Sequence, residues 1–287
     1  MMRFLKHKRE SGTVAFIIVF IVFAIYSLSL IYPLFWAFIT SFKDEYDYLL
    51  NRVGFPEVWY FTNYSDAFVS LSSKGRNLLT MFFNSFWFAF GGTFIAVFVS
   101  TMSAYVVAKY RFFGRRLFYA LALVIMMLPI VGALPSQYEM YSRLNILNSP
   151  ALLVIYANGM GFNFLVLYGY FSGLPWDYVE ASFIDGGNHF NTFFRIMLPQ
   201  AKSSVLALSV VAFINIWNDY NTPILFLESY PTLSSGIYLY QADTLQHNVD
   251  IPMLFAGVFM SVIPILALFI AFQDKIMSIT IGGGLKG

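Results

Sequence analysis

Three carboxylates stand apart from the other acidic residues of this chain. Glu180 is followed by Ala181-Ser182, and Asp185 by Gly186-Gly187. Small neighbours let another surface come close, so both carboxylates are open to donors on a partner. For Asp185 a local Asp-Gly turn is the alternative. The third is Asp219, inside an apolar stretch, where Asn215, Asn218, Asp219 and Thr222 recur at i, i+3, i+4, i+7. A carboxylate within a membrane helix costs about 2.5–3.5 kcal/mol on insertion scales, so it must face the bundle interior or water. Amides and carboxylates bind hydroxyl groups, and Trp217 and Tyr220 beside them offer faces that stack on sugar C–H surfaces. Interhelical hydrogen bonding is the other reading of that stripe.

Other chemistry finds little support. Cys is 0, which removes thiol metal sites, redox couples and Cys nucleophiles. His7, His189 and His247 are scattered, so no histidine metal cluster is expected and the chain is read as binding no cofactor. The pattern G-x-x-x-x-G-K-[ST] is absent, so ATP is not bound by a P-loop, and no nucleophile–base constellation appears.

The elements that must position these residues follow from composition. Hydrophobic residues make up 59% of the 287-residue chain and charged ones 11%. Soluble domains have about 25% charged residues, so lipid must be part of the solvent. A net charge of +2 gives no reason to expect nucleic acid. Charge-free runs occupy 11–42, 77–108, 117–138, 144–176, 203–218 and 251–273. A membrane-crossing helix needs about 20 mostly apolar residues. The runs therefore predict an all-α membrane protein with six spans: 13–40, 78–107, 117–137, 150–172, 203–225 and 251–272. Continuous apolarity without period-2 alternation favours helices over a barrel. The basic N-terminus followed by an apolar run looks like a signal peptide, but the run is too long for an h-region. It is read as the first span.

With the N-terminus inside, the inner segments hold Arg3, Lys6, Lys8, Arg9, Lys109, Arg111, Arg115, Arg116, Arg195, Lys202, Lys275 and Lys286. The outer segments hold only Lys43, Arg52, Lys74, Arg76 and Arg143. The positive-inside rule puts both termini in the cytoplasm. Ser85, Ala89, Gly92, Ala96, Ser100 and Ser103 form a small-residue packing stripe in the second span. Pro129 and Pro264 predict kinks in the third and sixth.

The inner loop 173–202 reads as helix, Gly-Gly, helix. Pro175 opens the first half, and Trp176, Val179 and Phe183 share one face. Gly186-Gly187 stops it. Asn188 caps the second half, Phe190, Phe193, Phe194 and Met197 share a face, and Pro199 ends it.

Glu180-Ala181-Ser182, Asp185-Gly186-Gly187, then Phe193, Ile196 and Leu198-Pro199 resemble the EAA loop of ABC importer permeases. Ser182, Gly187 and Ser203 depart from the usual Ala, Ala and second Pro. Ala104-Tyr105, Lys109-Tyr110-Arg111-Phe112 and Gly114-Arg115-Arg116 resemble the segment after that family's second span. Trp217-Asn218-Asp219 resembles the W-N-D of carbohydrate importers, and Gly283-Gly284-Leu285-Lys286-Gly287 their terminus, although Ile279 stands where Gly is usual. The chain is thus similar to the maltose-system G-type permeases. The resemblance implies one MetI-like transmembrane domain over 1–287 in a bacterial or archaeal cytoplasmic membrane. It implies a second, related permease chain, two copies of an ABC ATPase holding the ATP and Mg, and an extracytoplasmic sugar-binding protein. It implies ATPase coupling by Glu180, Ala181, Ser182, Asp185, Gly186, Gly187, Phe193, Ile196, Leu198 and Pro199. A C-terminal ATPase contact at Gly283, Lys286 and Gly287 is also expected.

Rivals differ in what the sequence should contain. An ion-coupled secondary transporter would show repeats and several intramembrane charges, where one carboxylate and no repeat are found. An intramembrane enzyme lacks a catalytic constellation. A permease for a non-sugar solute shares the EAA loop, and only Trp217-Asn218-Asp219 and the terminus speak against it.

Overall fold

The computed structural model describes the backbone of residues 2–128, 132–247 and 250–282, and side chains within 16–128, 132–242 and 250–274. The chain is helical apart from one two-stranded hairpin, β1 (Ser72–Ser73) and β2 (Arg76–Asn77), closed by Lys74 and Gly75 at positive φ. The helices are α1 (Met2–Thr40), α2 (Glu45–Leu50), α3 (Thr62–Ser70), α4 (Leu78–Lys109), α5 (Arg115–Met127) and α6 (Leu134–Arg143). A 3₁₀ segment (Pro150–Tyr156) precedes α7 (Phe162–Gly173) and α8 (Asp177–Ile184). After α9 (His189–Thr192) come a π-helical turn (Phe193–Met197) and α10 (Leu198–Gln200). The remainder are α11 (Lys202–Asn218), α12 (Asn221–Phe226), α13 (Leu233–His247) and α14 (Ile251–Gly282).

Among the described residues three stretches are each long and apolar enough to cross a membrane: Phe16–Thr40, Leu78–Lys109 and Ile251–Asp274. The pair His189–Gln200 and Lys202–Asn218, bent by 77°, adds a fourth when taken as one broken span. The third, fourth and fifth predicted spans are not continuous helices, for local reasons. Leu128 is extended because the residue before a proline is pushed out of the α region. In the fourth stretch Ala157–Gly161 breaks the helix, with the Asn158 side chain accepting from the Met160 amide (2.9 Å). In the fifth, Asp219 is extended and its carboxylate accepts from the Thr222 amide (3.0 Å), so a new turn starts there. Pro264 lies inside the unbroken α14, whereas Pro129 is outside the described residues.

The chain forms two compact units, Met1–Leu71 with Gln241–Met260, and Ser72–Tyr240 with Ser261–Gly287. In the first, Phe16 to Phe35 are broadly exposed along α1, as lipid-facing residues would be. The segment after α1 is tied down by Asn63, whose Nδ2 donates to the carbonyls of Ser41 (2.9 Å) and Lys43 (2.7 Å). Phe42 sits among Trp59, Phe61 and Tyr64 at ring separations of 5.2–5.5 Å. Lys43 is fully buried and its ammonium donates to the Asn51 carbonyl. Asp250 accepts from the Met253 amide at the start of α14 (3.1 Å). Burial, then the charges of Glu45, Asp44 and Asp66, hold its carboxyl above the usual range against that hydrogen bond.

The second unit is built around α4, which Asn77 caps by accepting from the Thr80 amide (3.0 Å). Its small-residue stripe packs, as expected. A Cβ at Gly92 would lie 2.8 Å from Tyr156 Cδ2 and 3.0 Å from Ile216 Cδ1. Ser85 Oγ accepts from the Leu233 amide (2.7 Å), and Ser100 Oγ donates to the Asn158 carbonyl (2.9 Å). At the far end of α4 the core gathers Tyr105, Phe164, Phe171, Val179, Phe193 and Met197.

Candidate functional site

The EAA-like segment folds as two helical pieces around a tight turn. The Gly186 amide donates to the Phe183 carbonyl (3.1 Å) and the Gly187 amide to the Ser182 carbonyl (2.8 Å). With Gly186 at φ +80° this is a Schellman stop, which a residue with a Cβ adopts only under strain. Asn188 caps the second piece by accepting from the Asn191 amide (2.8 Å). Ser182 Oγ and Thr192 Oγ1 are 2.8 Å apart and buried, and they clamp the pieces together. Gly187 is as constrained by space as Gly186 is by φ: a Cβ there would lie 2.6 Å from Ser182 Oγ and 2.8 Å from its carbonyl oxygen.

The motif divides into an inward and an outward set. Ser182, Thr192, Phe193 (4% exposed) and Met197 point inward with Val179, and Ile196 and Leu198 pack on that core. Glu180, Ala181, Asp185, Gly186 and Pro199 are exposed, and Gly187 is half-buried. So are the apolar Ile184 (86%) and Phe190 (68%) on either side of the turn. The two expected apolar faces, Trp176 with Val179 and Phe183, and Phe190 with Phe193, Phe194 and Met197, are each divided between core and surface. The buried positions are Val179 with Ser182, and Thr192 with Phe193 and Met197. Two short helices meeting through a Ser–Thr clamp turn that face inward and leave the aromatics outside. Pro199 does not end the second piece, because helix continues to Gln200. The π turn, closed by the Leu198 amide on the Phe193 carbonyl, widens the helix where the proline ring would meet the Arg195 carbonyl.

A chain of polar aromatic contacts fixes the loop to α4. Tyr105 and Tyr110 hydroxyls are 3.1 Å apart, and the Tyr110 hydroxyl is 2.9 Å from His189 Nδ1. The Tyr110 ring meets Trp176 edge-on at 6.0 Å, and His189 meets Phe183 at 5.0 Å. The Lys109 ammonium donates to the Leu174 carbonyl. A cavity of about 380 Å³ lies between Tyr105, Tyr110, His189, Phe190 and Phe193. Sequence reasoning missed this bracket, since no local pattern pairs Tyr110 with a histidine 79 residues away.

The polar stripe is split by the break at Asp219. Trp217 (2% exposed) is structural: it stacks on Phe213 and its indole N–H donates to the Ser261 carbonyl (3.1 Å). That removes it from the candidate path. Asn215 and Asn218 are exposed, Asn218 Nδ2 donating back to the Ile214 carbonyl (2.9 Å). The Asp219 carbonyl accepts from Ser234 Oγ (3.0 Å). Tyr220 stacks on Tyr238 at 4.4 Å with both rings partly exposed. The Tyr156 hydroxyl is buried beside Asp219 and Thr222 without completing a hydrogen bond. Tyr156 and Tyr238 were not visible as neighbours of the stripe from sequence. Gly283, Lys286 and Gly287 lie outside the described residues. At the hairpin, Lys74 and Glu228 pair at 2.7 Å, which holds the Glu228 carboxyl below its usual range.

Residues 96–274, more than half of the chain, match the family described as "Binding-protein-dependent transport system inner membrane component". The chain belongs to this family. The permease is 29% identical to the diacetylchitobiose uptake system permease protein NgcG of Streptomyces coelicolor, over 88% of this chain and 83% of that protein. It is 28% identical to the arabinooligosaccharides transport system permease protein AraQ of Halalkalibacterium halodurans, over 98% and 100%. Its fold matches a chain in the crystal structure of a bacterial ABC transporter that imports the acidic polysaccharide alginate. That match has a TM-score of 0.75 at 21% identity and covers 92% of this chain and 97% of the other. The match establishes the MetI-like helical permease fold.

Proposed function

We propose that this permease is a transmembrane subunit of an ATP-driven, binding-protein-dependent carbohydrate importer. It encloses the path with a second permease chain and couples to two cytoplasmic ATPase subunits through residues 173–202. The observation that carries this reading is the loop: a clamped, capped turn that buries Phe193 and Met197 and holds Ile184, Glu180, Asp185 and Phe190 outward. Such a rigid apolar tip ringed by carboxylates suits a groove on a partner. The exposed amides of Asn215 and Asn218 and the Tyr220–Tyr238 stack support a sugar-lined path.

In this reading the chain crosses a bacterial or archaeal cytoplasmic membrane six times with both termini inside. The third crossing runs through α5, the fourth through the 3₁₀ segment and α7, and the fifth through α11 and α12. Broken helices are tolerated at membrane depth where protein surrounds them. Single cysteines at Lys74 and Phe113 test the topology, because the natural chain has none. They should label from opposite sides, Lys74 from outside; labelling from one side refutes it. Uptake by the reconstituted complex, offered a panel of sugars and non-sugar solutes, tests the substrate class. ATP-dependent uptake of a non-sugar solute alone would overturn the carbohydrate assignment.

A further inference from the structure

Between α5 and α7, at the end of the bundle that carries Lys109 and Arg111, lies a cleft of about 340 Å³ lined by Arg115, Arg116, Tyr119 and Tyr168. Neither arginine forms an ion pair with a carboxylate among the described residues. Arg115 donates one N–H to the Ala108 carbonyl (3.1 Å), which orients the guanidinium and leaves its other donors free. Arg116 is exposed and makes no side-chain hydrogen bond among the described residues. Tyr119 and Tyr168 rings lie 4.6 Å apart, and neither hydroxyl has a partner among the described residues. Two guanidiniums and two phenols thus converge on one cleft with no anion among the described residues to meet them. Guanidinium forks match phosphate oxygens, and phenols add neutral donors.

The surroundings indicate what brings the phosphate. Below Arg116, Leu117 (63% exposed), Leu121 and Val124 recur at i, i+4, i+7 along one exposed face of α5. Beside the cleft, Phe112 and Phe113 are exposed as well. A free inorganic anion has no use for that apolar track, whereas an acyl chain follows it. Basic clefts between transmembrane helices on the cytoplasmic side recognise anionic headgroups in this way. We infer that the Arg115–Arg116–Tyr119–Tyr168 cleft binds the phosphate headgroup of an anionic phospholipid, with an acyl chain along Leu117, Leu121 and Val124. The cytoplasmic side rests on the topology proposed above; the binding does not.

The test uses the permease with its partner subunits in nanodiscs of phosphatidylcholine containing a minority of phosphatidylglycerol, followed by native mass spectrometry of retained lipid. The complex should retain phosphatidylglycerol in preference to phosphatidylcholine. General attraction to an anionic surface is worth about fivefold per arginine, and charged hydrogen bonds to the headgroup add to it, so R115Q/R116Q should lower retention by more than about 25-fold. R111Q, a basic change outside the cleft, keeps those bonds and should cost no more than about fivefold. Should the double arginine variant fail to assemble, Y119F/Y168F decides the matter. It keeps both rings and removes only the hydroxyls, and retention should still fall. Equal loss per arginine in R111Q and in R115Q/R116Q would mean a diffuse field rather than a site, and overturn the inference. So would equal retention of both lipids by the assembled complex. Labelling of a cysteine at Phe113 reports the membrane side separately, so a wrong orientation is distinguishable from a missing lipid site.

Discussion

Gly186 is where the coupling reading is most exposed to refutation. Its φ of +80° lies in the left-handed region, and its amide closes the turn on the Phe183 carbonyl at 3.1 Å. Nothing lies within 4 Å of an added Cβ, so any penalty of Gly186→Ala is conformational rather than steric. A left-handed L-residue costs about 1–2 kcal/mol, so alanine should deplete the closed turn about tenfold. Gly186→Pro cannot reach that φ at all and loses the hydrogen bond, a penalty of about 3 kcal/mol or more. At about 1.4 kcal/mol per decade the closed turn then falls by two orders of magnitude. If ATP hydrolysis drives uptake through this turn, uptake per assembled complex should fall in the order Gly, Ala, Pro. Assembly should be kept, because Phe193 and Met197 anchor the loop independently. The assay is ATP-driven sugar uptake and sugar-stimulated hydrolysis in proteoliposomes, normalised to complex recovered by gel filtration. Normal uptake in Gly186→Pro refutes the reasoning. Equal loss of assembly and uptake refutes it too, because the turn would then be a folding element and nothing more.

Gly187→Ala should push Ser182 Oγ out of its bond with Thr192, destabilising the loop by about 1–3 kcal/mol; adding Ser182→Ala should recover part of that, measured as a non-additive double-mutant cycle in uptake. Trp217→Ala should lower thermal stability by about 3–5 kcal/mol, because it empties a buried site stacked on Phe213. Asn218→Ala should leave stability within about 0.5 kcal/mol and alter uptake rate or sugar preference instead; unchanged transport would remove Asn218 from the path. Asp250 has a raised carboxyl pKa, so the folded state binds the extra proton and stability falls as pH rises from the ordinary carboxylate value through the raised one. Asp250→Asn keeps the Met253 cap and should stabilise the chain above that window by a few tenths of a kcal/mol after solvent screening, with no gain in acid, read by thermal unfolding against pH.

What the sequence made legible was local and periodic. Asn188 and the Gly186-Gly187 pair act over a few residues, so a cap and a stop can be read from residue type. Long apolar runs announce α1, α4 and α14 because nothing interrupts them. The failures begin where a local group overrides the pattern. Asp219 continues an i, i+3, i+4, i+7 spacing on paper, yet its carboxylate is a better partner for the Thr222 amide than for a helix face. That bond starts a new turn and separates Thr222 from the stripe. Which side of the loop turns inward was hidden for a different reason. Hydrophobic periodicity assumes that the largest side chains are buried, but the loop buries Ser182 and Thr192 against each other and leaves Ile184 and Phe190 in the open. Burying a hydroxyl pair is tolerable only because each satisfies the other. Exposing Ile184 and Phe190 beside carboxylates and glycine is unfavourable for a loop that ends at its own surface. The same arrangement is favourable for one completed by a partner's groove. Ile184 and Phe190 are therefore the part of the loop that the single chain's own packing does not explain, and they are where a coupling partner has the most apolar area to cover.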